Sequence, residues 1–375
     1  MPTHVHKVSC STPSGKGLDW WQAGTYNAGA PKTLGSFRPT TGWEDLFAKR
    51  NIDAGSYYAS KDNEYPTKSG GKRRINWGWL TVPVGGTQSL PRAITFNAVA
   101  RTLEQAPIEE LEALRGPASY TQGSLQLAAD VPMELGVAQG VAKQSEFVAS
   151  FVLPNSSGVF GWSIGGPGRR LQCTIDYTPP SKAEPFHEVP VACGCPQGSE
   201  RNYGNAWHVR DTLRLVRNET TVEIRVFLDN TFVEVFFQRG RVAMTISLAF
   251  TAKLANYTKL ALISTTGLRV QRAVVYPMMS IWVTPDAVRQ AHRVYTRDDQ
   301  LPAEPAAVAP TSAYQSHIDT PADFKGVGVV PLACAPARQM QRWQLDGGRI
   351  PGLQNIWGAA SVFRPPEKNG RVLSI

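Results

Sequence analysis

Four short stretches decide the fold of this chain: Asp53-Ala-Gly-Ser-Tyr-Tyr-Ala-Ser-Lys61, Lys72-Arg-Arg-Ile-Asn-Trp-Gly-Trp79, Ser89-Leu-Pro-Arg92 and Gln105-Ala-Pro-Ile-Glu-Glu-Leu-Glu-Ala-Leu-Arg115. The first three are short runs separated by polar segments that contain Gly and Pro, a pattern that predicts strands. In the fourth, Pro107 and the acidic residues after it favour the start of a helix, and Gly116 ends the run. The order predicts three strands followed by a short linker helix.

The regions on either side of this stretch also read as strands. Upstream, residues 1–50 predict a strand, a turn and a second, aromatic strand over Leu18–Tyr26. Downstream, from Gly123 to about Trp282, short runs recur with turns between them, and several alternate, as in Val222-Glu-Ile-Arg-Val226. Alternation indicates strands with one buried and one solvated face, and eight or more of them at this spacing favour a β-sandwich. We therefore predict an all-β protein.

Composition excludes several classes of protein. The 375 residues are 42% hydrophobic, enough for a sizeable core, and the 33 Gly and 28 Pro are typical of many turns. The net charge of +9 is scattered, with Lys72-Arg-Arg74 as its densest run, so we expect no nucleic-acid partner. Because no apolar run approaches the roughly 18 residues that span a bilayer, we expect no membrane insertion.

The cysteines give no disulfide framework, because their number is odd and their gaps are wide, although a single disulfide remains open. They are Cys10, Cys173, Cys193, Cys195 and Cys334. A loop predicted over Pro180–Gly204 holds His187 and two of these cysteines, but a fourth metal ligand is missing. We expect no metal ion and no cofactor.

Three glycosylation sequons begin at Asn155, Asn218 and Asn256. They favour an extracellular or vacuolar protein weakly, and the first residues do not have the pattern of a signal peptide.

Six motifs in a fixed order resemble the later part of glycoside hydrolase family 32, which contains invertases, fructan hydrolases and fructosyltransferases. Four are the stretches quoted above, the second being similar to the family pattern Arg-Arg-Ile-x-Trp-Gly-Trp. The fifth is Asp19-Trp-Trp-Gln-Ala-Gly-Thr-Tyr26, and the sixth runs from Phe227 to Phe236 and on through Gly240-Arg-Val-Ala-Met-Thr245. The resemblance covers about residues 19–245.

This resemblance implies a five-bladed β-propeller followed by a β-sandwich. It places the last blade or so of the propeller in residues 1–106 and the linker helix in residues 107–116. The sandwich follows in residues 117–285, and a Pro- and Ala-rich linker and irregular tail follow in residues 286–375. A partial propeller leaves sheet edges open, so we expect the N-terminal region to be poorly stable by itself.

The resemblance also implies retaining hydrolysis of sucrose or a fructan by an Asp nucleophile and a Glu acid/base. The family motifs that hold the reacting groups, Asn-Asp-Pro-Asn-Gly and Glu-Cys-Pro, are absent from the sequence, as is Arg-Asp-Pro. Arg210-Asp211 and Arg297-Asp298 both lack the proline. We therefore predict no catalytic residue in this chain.

The substrate-binding residues implied by matching positions are Asp53, Tyr57, Trp79, Lys16 and Asp19. Asp229 and Glu234, in the sixth motif, are expected to be structural. The leading hypothesis is the C-terminal portion of a family 32 enzyme, shortened by gene prediction or transcript start. The alternatives are a non-catalytic fructan- or glycan-binding protein and, least favoured, an enzyme that uses Asp45, Asp53 or Glu64.

Overall fold

The structure is a computed structural model that describes residues 4–11, 17–29, 35–41, 51–67, 69–82, 85–138, 140–166, 169–180, 184–194, 208–229, 232–247 and 259–281. Strands make up nearly all of the regular structure in these ranges, and every sheet pairing given by register is antiparallel. The all-β prediction is confirmed.

Two small sheets come first in the chain. The first has the order β1-β2-β3, with β1 at His4–Ser11, β2 at Gly17–Asn27 and β3 at Ser36–Pro39. The second has the order β4-β5-β7-β8, and β6 pairs with β5. Its strands are β4 at Tyr58–Pro66, β5 at Lys72–Val82, β6 at Gly85–Gln88, β7 at Arg92–Asn97 and β8 at Thr102–Pro107. The strand predicted at Ser89–Arg92 is not formed as such: residues 89–91 lie between β6 and β7, since Pro91 cannot donate to a sheet.

The predicted linker helix is a 3-10 helix at Glu109–Leu114 that buries Leu111. Arg73 of β5 forms an ion pair with Glu110 of this helix. At its end, Arg115 donates through Nε to Glu146 Oε2 at 2.6 Å and through Nη2 to Glu146 Oε1 at 2.8 Å. The linker is therefore fixed to the strands on both of its sides.

Two larger sheets form the sandwich. One has the order β10-β21-β12-β17-β18-β19, with β9 on β21, and the other has the order β11-β20-β13-β14-β15-β16. The strands are β9 (Tyr120–Gln122), β10 (Leu125–Leu127), β11 (Met133–Leu135), β12 (Gln144–Val152), β13 (Gly158–Gly166), β14 (Arg169–Tyr177), β15 (Phe186–Gly194), β16 (His208–Val216), β17 (Thr221–Asp229), β18 (Phe232–Phe237), β19 (Val242–Ser247), β20 (Lys259–Ser264) and β21 (Leu268–Pro277).

The core lies between these two sheets. Alternate residues of each strand enter it, such as Phe147, Ala149 and Phe151 of β12. They meet Phe160 and Trp162 of β13 from the facing sheet. Because successive side chains of a strand point to opposite faces, the alternation in the sequence places every second residue in this core.

Strand β15 corrects one prediction. Phe186–Gly194 is a nine-residue strand rather than a loop, and its alternation buries Val189, Val191 and Cys193. Cys193 lies opposite Cys173 of β14 and forms a disulfide with it. Its sulfur is therefore not a metal ligand, and the disulfide left open by the sequence is the pair Cys173–Cys193.

Several predictions lie outside the described residues: Lys16, the sequon at Asn256 and the tail 286–375. The division at residues 106, 116 and 285 stays a prediction. In the described ranges, no helix is long and apolar enough to cross a bilayer.

Candidate functional site: a buried seam and an adjacent cleft

The hairpin of β18 and β19 is buried on both faces. Its inner face packs in the sandwich core through residues such as Val233, Val235 and Met244. Its outer face meets the N-terminal strands, and the chain around Asp53 runs along the edge of β19. There, Ala54 N donates to Ala243 O at 3.0 Å, and Ser56 N donates to Thr245 O at 2.7 Å. We call this contact surface the seam.

Asp53, Arg92, Glu234 and Thr245 form a fully buried polar group, the seam cluster. Arg92 Nη2 lies 2.6 Å from Glu234 Oε2 and 2.9 Å from Asp53 Oδ2, and all three side chains are 0% exposed. Thr245 Oγ1 donates to Asp53 Oδ2 at 2.7 Å. Each charge therefore has an opposite charge in contact, which a buried ion requires.

Burial and neighbouring charges act in opposite directions on the pKa values of Arg92 and Glu234. Burial alone would lower the pKa of Arg92, but the charges of Glu234 and Asp53 outweigh burial and raise it. Burial raises the pKa of Glu234, while Arg92 and the Leu90 N–H, 2.7 Å from Glu234 Oε1, act against that rise. With a permanent cation 2.6 Å away, we treat Glu234 as a carboxylate.

Of the predicted binding residues, Asp53 and Tyr57 meet at the seam. Both carboxylate oxygens of Asp53 are used by the protein, because Oδ1 accepts from Gly55 N at 2.7 Å and from Thr245 N at 2.9 Å. The Tyr57 ring is buried under the Arg92 guanidinium, 4.3 Å from its centroid. Burial raises the pKa of the Tyr57 hydroxyl. Their role in substrate binding stays a prediction.

Asp19 lies in a second polar group. Its Oδ2 accepts from Ser60 N at 2.7 Å, and Lys7 Nζ donates to Ser60 Oγ at 2.7 Å. Burial lowers the pKa of Lys7, although Asp19 and Asp62 act in the opposite direction. Trp79 differs from the other three described candidates in being exposed, at 41%. The charge of Asp19 acts on the Tyr57 hydroxyl, and Ile52 N donates to Asp19 O at 2.8 Å, so Asp19 lies near the segment that contains Asp53 and Tyr57.

A cleft of ≈ 440 Å³ lies beside the seam, within the size range typical of ligand sites. On one side it is lined by Trp21, Asn51, Leu103 and Gln105. On the other side it is lined by strands β15 and β16, through residues including Glu188, Arg210, Thr212 and Arg214, together with Arg241 and Val242 beside β19.

Two side-chain acceptors on this cleft have no partner in the described chain. They are Gln105 Oε1 and Asn51 Oδ1. Gln105 is only 2% exposed, and its Nε2 donates to Ile52 O. A buried acceptor without a donor costs free energy, about 1–3 kcal/mol. Because both atoms are themselves buried, an enclosed water that donates to them removes this cost.

The arginines of the cleft are mostly neutralised by carboxylates. Arg214 Nε donates to Glu188 at 2.9 Å, and Arg241 donates to Glu104 at 3.1 Å and to Glu219 at 2.8 Å. Arg210 is exposed. Together with Trp21, Leu103 and Val242, these groups favour a neutral ligand rich in hydroxyl groups over an anion. In the described ranges, no three His, Cys, Asp or Glu side chains converge on a metal site.

Sequence reasoning did not identify the cleft. Gln105 lies in a quoted motif, but nothing in the motif indicates that its carbonyl is unpaired. Arg210 stands out in the sequence only because the pair Arg210-Asp211 lacks the proline of the Arg-Asp-Pro motif. The third quoted stretch does contribute to the seam, because the Leu90 N–H and the Arg92 guanidinium both donate to Glu234.

Comparison with known proteins gives three findings. Residues 110–282 match the family model described as "Glycosyl hydrolases family 32 C terminal". The chain is 34% identical over 123 residues to β-fructofuranosidase, insoluble isoenzyme 1, of Daucus carota, covering 30% of this chain and 19% of the relative. It is 25% identical over 275 residues to β-fructofuranosidase 1 of Zea mays, covering 64% of this chain and 40% of the relative.

The structure is similar to that of fructan 1-exohydrolase IIa from Cichorium intybus, with a TM-score of 0.57 and 17% identity. This match covers 74% of this chain and 61% of that one. A variant of the same protein, solved in complex with 1-kestose, gives a TM-score of 0.58. These likenesses concern the fold. The chain spans 19% and 40% of the two plant relatives.

Proposed function

We propose that this chain is the C-terminal portion of a β-fructofuranosidase-like enzyme, since residues 110–282 match the model of the C-terminal part of glycoside hydrolase family 32. Its proposed substrates are sucrose or fructans, and its proposed reaction is a retaining double displacement. The observation that carries the proposal is the seam, because the same motifs that carry the family resemblance also join the N-terminal strands to the sandwich.

In such a reaction, one carboxylate attacks the fructosyl carbon and a second carboxyl group protonates the leaving oxygen and later activates water. The motifs for both groups are absent from this sequence. We propose that the chain contributes one wall of the sugar pocket, through Asp53, Tyr57, Trp79, Lys16 and Asp19. Within that wall, the exposed indole of Trp79 offers a ring face. The buried Asp53 and Asp19 accept from the backbone N–H groups of Gly55 and Ser60.

Sequencing the native transcript tests this proposal. We expect the coding region to continue upstream of Met1 and to include Asn-Asp-Pro-Asn-Gly and Glu-Cys-Pro in frame. An in-frame stop codon directly upstream, with neither motif on the transcript, would contradict it and favour the second candidate.

The second candidate is a non-catalytic fructan- or glycan-binding protein, and the cleft is the observation that favours it. Its lining includes the polar side chains of Asn51, Arg210 and Thr212, which suit sugar hydroxyl groups, and the apolar ring of Trp21. Binding there needs none of the absent carboxylates.

Calorimetric titration of the purified 375-residue chain with sucrose, 1-kestose, inulin and levan tests the second candidate. We expect saturable binding that is weakened by Arg210→Ala, since this exposed guanidinium lines the cleft. Arg269→Ala is the matched control, because Arg269 is also exposed but lies outside the cleft. No binding at millimolar sugar, or equal loss in both variants, would exclude the cleft as the binding site.

A further inference from the structure

The two sequons in the described residues lie in neighbouring turns that connect the two sheets of the sandwich. Asn155-Ser-Ser157 is in the turn between β12 and β13, and Asn218-Glu-Thr220 is in the turn between β16 and β17. Both asparagines and the hydroxyl residues that complete their sequons are exposed. Leu153 N donates to Thr220 O at 2.9 Å, so the turns lie side by side at one end of the sandwich.

The side chains of these two asparagines form no hydrogen bond within the described chain, unlike those of Asn27 and Asn97, which end strands β2 and β7. Asn27 Oδ1 accepts from Gly29 N at 3.0 Å, and Asn97 Oδ1 accepts from Ala100 N at 2.9 Å. In those positions the amide stabilises a local turn, a common role of asparagine. Asn155 and Asn218 have no such role, which leaves their Nδ2 groups free for modification.

The disulfide gives an independent indication of the compartment. Cys173 and Cys193 are joined across β14 and β15, and both are buried. Disulfides of this kind form in the oxidising secretory pathway and are rare in the cytosol. Asparagine-linked glycosylation takes place in the same pathway.

We propose that Asn155 and Asn218 are both N-glycosylated and that their glycans cover one end of the sandwich. Asn Nδ2 forms a C–N bond to the anomeric carbon of an oligosaccharide donor linked to a polyprenyl pyrophosphate. The bond from that carbon to the pyrophosphate oxygen breaks, the lipid pyrophosphate leaves with the electron pair, and the amide loses one proton. A macromolecular partner must then approach the sandwich from another surface.

Translation of the full chain, fused to a cleavable signal peptide, in a lysate with microsomes tests the proposal. All variants carry Asn256→Gln, which removes the third sequon. We expect the parent chain to acquire two glycans and Asn155→Gln and Asn218→Gln to acquire one each. The double variant should acquire none, as judged by gel mobility before and after peptide-N-glycosidase treatment.

A matched pair of variants separates the sequon from the loop. Ser157→Ala destroys the first sequon and is expected to lose one glycan, whereas Ser156→Ala changes its middle position and is expected to keep both. Because glycosylation is read on microsome-enclosed chains, a secretion or folding defect does not obscure it. A parent chain with no glycan, or with only one, would overturn the proposal.

Discussion

The guanidinium of Arg92 lies between the rings of Tyr57 and Phe236, 4.3 and 4.9 Å from their centroids, and contacts carboxylates from two distant chain segments. Few residues could replace it, because the site needs a permanent charge, a planar group and several donors. At the scale of single residues, the family motifs are therefore explained by packing at the seam. Gly78 fits this account, since a Cβ there would lie 2.4 Å from the Tyr57 ring.

Glu234→Gln tests the seam cluster. It leaves the cationic Arg92 buried with only Asp53 as a counter-charge, and losing one partner of a buried pair costs about 3–5 kcal/mol. We expect a loss of this size in the free energy of unfolding, measured by urea titration.

The control for this variant is Glu134→Gln. Glu134 pairs with Lys259 at 2.8 Å, but both side chains are more than half exposed, at 56% and 60%. An exposed pair contributes about 0–1 kcal/mol. Equal losses in the two variants would show that the seam cluster does not stabilise the fold.

The lowered pKa of His187 makes the stability of the fold depend on pH. Burial lowers its pKa below the usual value, although the charge of Glu219 acts against this, and the ring packs edge-on to Tyr177. The unfolded chain therefore binds more protons between the lowered pKa and about 6.5, so stability rises with pH across that window. We expect His187→Gln to flatten the rise in urea midpoint between about pH 5 and 7. An unchanged slope would exclude this role.

At the scale of elements, the 53–56 segment acts as an additional edge partner of β19. Gly55 makes this possible, because a Cβ at this position would lie 1.9 Å from the Thr245 carbonyl oxygen. That obstacle is backbone and cannot rotate away, so the segment must separate from β19 when Gly55 is replaced.

We expect Gly55→Ala to lower the free energy of unfolding by about 1–3 kcal/mol, the usual cost of overpacking. Gly123→Ala is the control, because a Cβ at Gly123 meets nothing within 4 Å. Thermal unfolding of both variants compares them. A Gly55→Ala midpoint as high as that of Gly123→Ala would contradict the close approach.

The sequence predicted elements better than their contacts. Strands β12 and β17 follow from local alternation, which a single chain segment displays. The β15 strand was missed because Pro180, Pro185 and Pro190 favoured a loop, yet pairing with β16 overrode that preference. The seam joins Asp53 to Thr245 across 192 positions, and no local pattern contains that information. The unpaired carbonyl of Gln105 also depends on tertiary structure.

At the scale of the molecule, the seam gives the N-terminal strands a packing partner that they lack by themselves. Within residues 17–281, the described strands on both sides of the linker share buried charges and the apolar group of Leu111, Phe227, Phe236 and Ala243. A shared buried interface couples the unfolding of its two sides.

Hydrogen exchange measured by mass spectrometry tests this coupling. We expect amides of β5 and β7 to exchange with about the same opening free energy as amides of β12 and β17. Exchange of β5 and β7 at a much lower free energy, with β12 and β17 still protected, would show that the N-terminal sheet opens independently.

Under the proposed function, this chain supplies a seam and a cleft, and the carboxylates that react with the sugar lie outside this sequence. The most direct test is fructose release from 1-kestose by the purified 375-residue chain, followed over many hours by chromatography. We expect no release of fructose above that of a buffer blank. Sustained, enzyme-proportional release of fructose would contradict it.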